Sequence, residues 1–407
     1  MSGLENVLTW VDSSRDDMIR FMIHMLKIEA VNPESGGQGE YERALYIQRE
    51  LENLGMKVTR YDIPDNRVRH GVRVNLISVI EGRDTSRTLW FVVHLDTVPE
   101  GSRELWSTAP YDPVVKDRKI FGRGSEDNGQ AVVSTFFTLK ALKVNGAKPS
   151  INVGGVFVSD EEMGSKFGII PLIEKGIFGE RDMVIAPDSG EPDGSVIEVA
   201  EKSSLWVKLI TKGKQVHASI PEKGLNAYRV GLKLALQLDE LLHSKYAEKN
   251  PLFDPPVSTF EPTKHELNVD NVNTVPGVDV QYFDCRILPQ YSIKDVMRDF
   301  EAVKSKLEEE TGALIQIEPI QLEENAAPTP PDSEVVQKLR VAIKKLNGVD
   351  AKARGIGGGT VGLHFRRKGI HTAVWSTVDD LAHQPNEYCK IDNIVKDAKV
   401  FVHVAMS

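Results

Sequence analysis

The sequence contains few cysteines, no cationic tract and no long apolar run, and each absence excludes a class of protein. Cys285 and Cys389 are the only cysteines among 407 residues, too few for a disulfide framework or a zinc knuckle. The net charge is −9 and no basic tract is interleaved with aromatic residues, so nucleic acid is not an expected partner. No apolar run approaches the ~20 residues of a membrane-spanning helix. The first residues show no cationic region followed by an apolar core, so no signal peptide is predicted and the expected location is the cytoplasm.

Apolar runs alternate with helical patterns through the first half of the chain. Residues 89–94 and 151–158 are nearly continuous apolar stretches, which is typical of central strands covered on both faces. The apolar positions after Asp127 recur at helical spacing. A length of 407 residues suggests two domains. This alternation predicts an α/β fold with a doubly wound, mostly parallel sheet.

The pattern changes near Glu201, where a second set of elements begins. We predict strands and helices in the order β-α-β-β-α-β of a ferredoxin-like split unit, at residues 205–211, 226–242, 268–275, 280–287, 293–310 and 313–317. The proline-containing segments 251–262 and 319–331 are predicted to be a loop and a linker. The sequence therefore predicts an inserted domain of residues 200–318 within a catalytic domain of residues 1–199 and 319–407.

Ionisable residues follow several of the predicted strands. They are His94 and Asp96, Asp127 at a helix N-terminus, the pair Glu161 and Glu162, Asp188, and His383 in a loop after a strand that ends near Ser376. The ends of parallel strands share one edge of a doubly wound sheet, so we expect these side chains to converge there. Each has an ordinary structural explanation when taken alone, but their common position indicates a metal site. Histidine and carboxylate ligands without cysteine suit zinc, cobalt or manganese.

Six short motifs are spread over almost the whole chain. They are HLDTVP (94–99), GRGSEDNGQ (122–130), SDEEMGS (159–165), PDSGEP (187–192), KQVHAS (214–219) and AHQPNEY (382–388). Together they resemble the co-catalytic metallopeptidase and deacylase family that includes succinyl-diaminopimelate desuccinylase, acetylornithine deacetylase, aminoacylase, glutamate carboxypeptidase and several dipeptidases. The inserted domain also falls where this family has its lid and dimerisation domain.

The resemblance implies two divalent metal ions and five ligands. One ion would be bound by His94 and Asp188, the other by Glu162 and His383, and both by Asp127. Zinc is the expected ion, with cobalt or manganese as alternatives.

Two further residues near the ligands acquire roles from the resemblance. Asp96 would accept the second N–H of the His94 imidazole and orient the ring. Glu161 would be the base that takes a proton from the attacking water and delivers it to the leaving amine. A free Glu161 beside a metal-bound neighbour also explains why two adjacent carboxylates are tolerated. The peptide bond after Asp127 corresponds to one that is cis in the family.

The resemblance also implies substrate-contacting residues outside the ligand set. His217 resembles the histidine that polarises the scissile carbonyl oxygen, often across a dimer interface, so a homodimer through the inserted domain is expected. Arg286 resembles the arginine that clamps a substrate carboxylate, with a structural pair to a nearby acid as the alternative. Asn273 resembles a substrate-facing asparagine. Gly358 and Gly359 belong to a GGTVG segment that lacks the acidic residue of the family's GGTDA, and they would let the backbone approach a substrate carboxylate.

These residues predict a metal-dependent hydrolase of a peptide or N-acyl amide bond in a small substrate with a free carboxylate. Asp188 stands where desuccinylases and carboxypeptidases of the family commonly have Glu, and an Asp there resembles the dipeptidase and tripeptidase branches. The alternative is an N-deacylase of the succinyl-diaminopimelate desuccinylase or acetylornithine deacetylase type.

Two other hypotheses are disfavoured by the sequence. Gly357, Gly359 and Gly362 match G-x-G-x-x-G, but the charged, short segment 350–354 before them does not predict the apolar strand that a dinucleotide site requires. A non-catalytic homologue acting as a binding module would have lost the base or a ligand, whereas Glu161 and all five ligand positions are intact.

Overall fold

The computed structural model describes residues 3–407, and within this range the chain forms ten α-helices and seventeen β-strands. The helices are α1 Gly3–Ser13, α2 Arg15–Leu26, α3 Tyr41–Asn53, α4 Ala131–Val144, α5 Ile169–Glu174, α6 Ala227–Lys245, α7 Ile293–Thr311, α8 Glu334–Asn347, α9 Gly362–Arg366 and α10 Ile391–Met406. The strands are β1 Val58–Pro64, β2 Val72–Ile80, β3 Asp84–His94, β4 Val114–Lys116, β5 Lys119–Phe121, β6 Ile151–Val158, β7 Met183–Ala186, β8 Val196–Glu201, β9 Ser203–Lys212, β10 Val216–His217, β11 Thr259–His265, β12 Thr274–Val275, β13 Val278–Ile287, β14 Leu314–Glu323, β15 Lys352–Ile356, β16 His371–Val374 and β17 Tyr388–Lys390. Among the helices described, none has the length and apolar character to span a bilayer.

The chain divides into two units. Of the described residues, the first unit contains 3–199, 329–353 and 360–407, and the second contains 200–328 and 354–359. The strand β14 extends to Glu323, so the first part of the segment predicted as a linker, 319–331, is an edge strand. Pro319 is accommodated there because the register with β9 shifts between Pro319 and Gln321, where a missing N–H costs no ladder bond.

The larger sheet has eight strands in the order β1-β2-β6-β3-β7-β16-β8-β15. The four central strands β6, β3, β7 and β16 are mutually parallel. The pairings β1–β2, β2–β6 and β16–β8 are antiparallel. The α/β fold is confirmed, but the sheet is mixed, and the prediction of a mostly parallel sheet is wrong at the flanks. The cause is local: β1 and β2 are joined by a short connection rather than a crossover helix, and short connections reverse the chain.

Two glycines allow the central strands and α4 to pack closely. A Cβ at Gly154 of β6 would lie 2.3 Å from the ring of Trp90 in β3. A Cβ at Gly155 would lie 2.8 Å from Leu139 of α4. The helix α4 is buried on nearly every side. A helix without a polar face is stable only when neighbouring elements cover it all round. This packing holds α4 against β6 and its neighbour β3.

The second unit contains a four-stranded antiparallel sheet in the order β11-β13-β9-β14. Alternate residues of β9, Leu205, Val207 and Leu209, are buried in the core that α6 and α7 complete. This is the β-α-β-β-α-β order that the sequence predicts. The second strand of that order was misplaced, however: β11 lies at Thr259–His265, and of segment 268–275 only Thr274–Val275 is a strand. Pro262 occupies β11 at a register shift of this edge strand, where proline is tolerated.

A strand also precedes the glycine-rich segment 357–359. Lys352–Ile356 forms β15, a short strand with charged residues, and not the apolar strand that a dinucleotide site requires. The charged residues of β15 do not produce the apolar pattern of a central strand. A strand at the end of a sheet need not be apolar on both faces. The helix that follows, α9, has only five residues.

Candidate metal centre

The polar residues that follow the central parallel strands lie together at one edge of the sheet. His94 is the last residue of β3, Glu162 follows β6, and Asp188 follows β7. Asp127 lies in a distorted turn that leads into α4, and His383 lies in the loop between β16 and β17. The topology therefore brings together side chains that are up to 289 positions apart in the sequence (383 − 94).

These five side chains form two groups that share Asp127. His94 Nε2 lies 3.0 Å from Asp127 Oδ1 and 3.2 Å from Asp188 Oδ1. His383 Nε2 lies 3.3 Å from Asp127 Oδ2 and 3.0 Å from Glu162 Oε2. Within each group the possible ligand atoms lie within 4.8 Å of one another. One oxygen of Asp127 thus faces each histidine, which is the arrangement of a carboxylate that bridges two cations.

The titration behaviour of the histidines indicates an excess of negative charge. Burial alone lowers the pKa of His94, but Asp188 and Asp127 outweigh it and raise the pKa well above its ordinary value. Hydrogen bonds to Asp127 and Glu162 raise the pKa of His383 to about 10. Three carboxylates surround two imidazoles here, so a cation would be strongly stabilised.

One buried oxygen of this centre has no hydrogen bond. Oε1 of Glu162 is inaccessible to solvent, and no donor among the described residues reaches it. An unsatisfied buried carboxylate oxygen is costly unless a donor or a cation occupies its free side. Together with the nitrogen and oxygen donors around it, this oxygen fits a divalent ion such as zinc, cobalt or manganese.

Glu161 lies beside these groups without belonging to either. Burial first, and then the nearby Asp188 carboxylate, raise the pKa of Glu161 well above its ordinary value. A carboxyl group with a raised pKa can both accept and return a proton near neutral pH.

The segment before Asp127 is held by Glu387, a residue to which the sequence analysis gave no role. The buried Glu387 carboxylate accepts the backbone N–H of Gly124, Glu126 and Asp127 at 2.9, 2.8 and 3.1 Å. It also pairs with Arg123 at 2.7 Å. Its place in the AHQPNEY motif was the available signal, but only the structure shows which backbone it contacts.

Glu126 and Asn128, the chain neighbours of Asp127, form hydrogen bonds with residues at or near the other candidate ligands. The Glu126 carboxylate accepts the backbone N–H of Asp379 and Leu381, in the loop that leads to His383.

The Asn128 side chain links the residues of the first group. Its Nδ2 donates to Asp188 Oδ1 at 2.7 Å, and its Oδ1 accepts the backbone N–H of His94 at 3.3 Å. The peptide bond between Asp127 and Asn128 is cis, as the resemblance predicted.

Asp96 is fully buried next to His94. His94 Nδ1 lies 3.1 Å from the backbone oxygen of Asp96 and 3.6 Å from its carboxylate. The carboxylate instead accepts the backbone N–H of Glu161 at 3.0 Å and of Glu162 at 3.2 Å. Asp96 therefore contacts both the histidine ring and the turn that contains the two glutamates.

His217 lies in the second unit, on the exposed end of β10. Its Nδ1 lies 2.7 Å from Ser219 Oγ and accepts the Ser219 backbone N–H at 3.2 Å. Because a ring nitrogen that accepts has no proton, this pattern places the proton of the neutral ring on Nε2, which is left as a donor.

Arg286 is already paired within the second unit. Its Nε and Nη2 donate to the two carboxylate oxygens of Asp284 at 2.7 and 2.9 Å, and its Nη1 donates to the Gly357 carbonyl at 3.1 Å. A substrate carboxylate would have to compete with Asp284 for the guanidinium, so the structural alternative considered for Arg286 has direct support.

The remaining predicted residues of the second unit are exposed. Asn273 accepts a hydrogen bond from the Asn271 side chain, and its carbonyl accepts the backbone N–H of Ala218. A Cβ at Gly358 or Gly359 would meet no atom within 4 Å. The fold itself therefore gives no steric reason for glycine at these two positions.

Comparison with known proteins identifies the family. Residues 90–407 match the profile of peptidase family M20/M25/M40. A protein of Methanocaldococcus jannaschii described as an uncharacterized metallohydrolase is 42% identical over 96% of this chain and 98% of its own length. The succinyl-diaminopimelate desuccinylase of Nitratiruptor sp. is 28% identical over 78% of this chain and 84% of that protein. The M20 family metallo-carboxypeptidase of Sulfolobus solfataricus has the same fold, with a TM-score of 0.72 at 20% identity over 96% of this chain and 98% of the other. With its fold and candidate ligand groups in agreement, the chain belongs to peptidase family M20/M25/M40 and is a metal-dependent hydrolase of peptide or linear amide bonds.

Proposed function

We propose that the protein uses two divalent ions to cleave a peptide or N-acyl amide bond in a small substrate with a free carboxylate, as a dipeptidase or carboxypeptidase does. The single observation behind this proposal is the pair of ligand groups that share Asp127, with Glu161 beside them. One bridging carboxylate with a histidine and a second carboxylate on each side matches the ligand set of two-metal hydrolases.

Each ion would have three protein ligands. His94 and Asp188 would bind one ion, Glu162 and His383 the other, and Asp127 both. We propose zinc, with cobalt and manganese as alternatives that the same donors accept. When bound, the ions would supply Lewis-acid activation at the reacting centre.

Glu161 would act as the general base and then as the general acid of the reaction. It accepts a proton from water as the water oxygen forms a bond to the carbonyl carbon, and it returns that proton to the amine nitrogen as the C–N bond breaks. Burial and the nearby Asp188 carboxylate raise the pKa of Glu161, which favours its holding the proton between the two steps. Asp96 would support this role by holding the backbone of Glu161 in place.

The first unit is proposed as the catalytic domain and the second unit as an inserted lid and dimerisation domain, in line with the family resemblance. His217 would donate from Nε2 to the carbonyl oxygen on which charge develops. Asn273, Gly358 and Gly359 would contact the substrate. Arg286 would bind a substrate carboxylate only if its hydrogen bonds to Asp284 were broken.

An N-deacylase is the second candidate. The 28% identity with a succinyl-diaminopimelate desuccinylase over most of the chain favours it, whereas Asp188 in place of the commoner Glu favours the dipeptidase-like reaction. Both reactions use the same metal centre and differ in the acyl group that the substrate presents.

A substrate panel tests the proposal. The protein loaded with zinc, cobalt or manganese is offered dipeptides, N-acetyl amino acids and N-succinyl-diaminopimelate, and amine release is measured. We expect dipeptides to be cleaved fastest, with activity lost after chelation and restored by the ion. Preferential cleavage of an N-acyl substrate would establish the second candidate. No cleavage of any amide with any ion would refute both.

A further inference from the structure

The turn that contains Glu161 and Glu162 is fixed by a buried polar network outside the ligand groups. We call residues 159–167 the glutamate turn. Asn75 of β2 joins the two ends of this turn: its Oδ1 accepts the backbone N–H of Ser159 at 3.0 Å, and its Nδ2 donates to the carbonyl of Phe167 at 2.9 Å. Asn75 thus holds the two ends of the turn together without using the side chain of either glutamate.

Asp160 has an unfavourable backbone conformation in the glutamate turn, as does Ser165. The φ of Asp160 is 63°, in the left-handed region that residues with a Cβ avoid. Its side chain compensates: Oδ2 accepts the Phe167 backbone N–H at 3.0 Å, while Oδ1 accepts from Asn32 at 3.1 Å and from Arg73 at 3.2 Å. The conformation next to Glu161 therefore depends on two donors that lie outside the turn.

Asn32 connects Asp160 with Asp96. Its Nδ2 donates to Asp160 Oδ1 at 3.1 Å and to Asp96 Oδ2 at 3.3 Å, and the residue is 1% exposed. The same Asp96 carboxylate accepts the backbone N–H of Glu161 and Glu162. One amide group thus holds two carboxylates in a fixed relation, and both of them contact the backbone around the glutamates.

Arg73 supplies the positive charge of this network. Its Nε and Nη2 donate to the two oxygens of Glu40 at 2.7 and 2.6 Å, and its Nη1 donates to Asp160 at 3.2 Å. Arg73 and Glu40 are both buried. The buried Arg73 guanidinium thus pairs with both Glu40 and Asp160 and links them in one network.

We propose that Asn32 and Arg73 are positioning residues for the reaction: they fix the glutamate turn so that the Glu161 carboxylate faces the substrate and the Glu162 carboxylate faces its ion. This inference rests on the proposed function of Glu161 and Glu162. Neither Asn32 nor Arg73 belongs to a candidate ligand group, so Asn32 acts through Asp160 and Asp96, and Arg73 acts through Asp160.

Asn32→Asp is the most specific test, because it replaces only the side-chain NH₂ group by an oxygen and keeps the shape of the side chain. Asn32 Oδ1 accepts the backbone N–H of Glu34 at 3.2 Å, and Asn32→Asp retains this acceptor. It replaces the Nδ2 donor by an oxygen that faces two carboxylates. Asn32→Ala removes the donor without adding charge, and it serves as the second variant if Asn32→Asp does not fold.

A matched control lies at the other end of β3. Asp182 is buried and accepts N–H groups of Thr88, Trp90 and Gly179 at 2.7 to 2.8 Å, none of which belongs to the glutamate turn. Asp182→Asn is also a one-group change in a buried polar network. It should lower the melting temperature without changing kcat or metal retention at 25 °C.

The measurements are kcat and KM with the best substrate, metal content after dialysis against graded chelator, and melting temperature. For Asn32→Asp we expect kcat and metal affinity each to fall by about 10- to 100-fold, the range seen when groups behind metal ligands are lost, with KM changed by less than about threefold. Asn32→Ala should show a smaller loss of the same kind.

The outcomes separate this inference from the proposed function. A wild-type protein that binds no divalent ion refutes the proposed function. A wild-type protein that binds metal and hydrolyses amides, with Asn32 variants that only melt earlier like Asp182→Asn, refutes the positioning role alone. A selective fall in kcat and metal affinity, absent from the control, supports it.

Discussion

The candidate residues of the two units differ in how firmly the surrounding chain holds them. In the first unit each ligand side chain contacts another ligand, and the backbone around Asp127 and Glu161 is fixed by the buried carboxylates of Glu387 and Asp96. In the second unit His217 and Gly358 are exposed and make few contacts, whereas Arg286 is paired with Asp284. A centre that collects repelling carboxylates must be built into the fold, whereas groups that meet only the substrate need not be.

The largest effect should come from Asp127, which both ligand groups share. Asp127→Ala should abolish binding of both ions and all activity, because each ion loses a ligand and the bridge disappears. Adding zinc to the metal-free wild type should stabilise it by about 2.7 kcal/mol when the free ion reaches ~100 times its Kd. Thermal melts with and without zinc check this.

Asp182→Ala is the control for Asp127→Ala, since it removes a buried carboxylate of the first unit that lies outside the ligand groups. Its melting temperature should still rise with zinc. An Asp127→Ala protein that gained as much stability from zinc as the wild type would remove Asp127 from the metal centre.

Glu161→Gln should separate metal binding from chemistry. The amide keeps the shape but cannot accept a proton, so kcat should fall by about 10²- to 10⁴-fold while metal content stays at the wild-type level. The two measurements are steady-state turnover and metal content after dialysis. Retention of most of the activity would show that another group is the base.

His217→Ala tests the looser second unit. If Nε2 stabilises charge on the carbonyl oxygen, kcat should fall by about 10²- to 10³-fold with metal content and melting temperature unchanged. His243→Ala is the control, because His243 is an exposed histidine of the same unit on α6. Equal kinetics in both variants would contradict a role for His217 in the reaction.

The sequence predicted the elements that place the ligands better than it predicted what supports them. His94, Glu162 and Asp188 directly follow apolar runs, and such runs become parallel strands whose ends must share an edge. Asn32 and Arg73 carry no comparable signal, since they lie in a turn and a strand far along the chain from the residues they contact. Hydrogen bonds of this kind depend on tertiary packing, which no local pattern encodes.

Two of the wrongly predicted elements share one cause. Pro262 concealed β11 and Pro319 concealed the end of β14, because proline disfavours a central strand but is tolerated at the register shifts of edge strands. Edge position is a property of the sheet, and the order of strands in a sheet is not visible from one strand alone.

The smallest effect, and the one that most sharpens the contrast between the units, is expected at Gly358. A Cβ there would meet no atom within 4 Å, and the φ of Gly358 lies outside the left-handed region, so the fold does not require glycine. Gly358→Ala should therefore leave the protein as stable or stabilise it by about 0.4–1 kcal/mol, through the lower entropy of the unfolded chain. If the substrate approaches the backbone of this segment, KM should rise several-fold with little change in kcat.

The test combines urea denaturation with steady-state kinetics. Gly357→Ala is the comparison variant, because a Cβ at Gly357 would also meet no atom within 4 Å. An unchanged KM would place Gly358 outside the substrate site, and a loss of stability would show that the fold, rather than the substrate, requires glycine there.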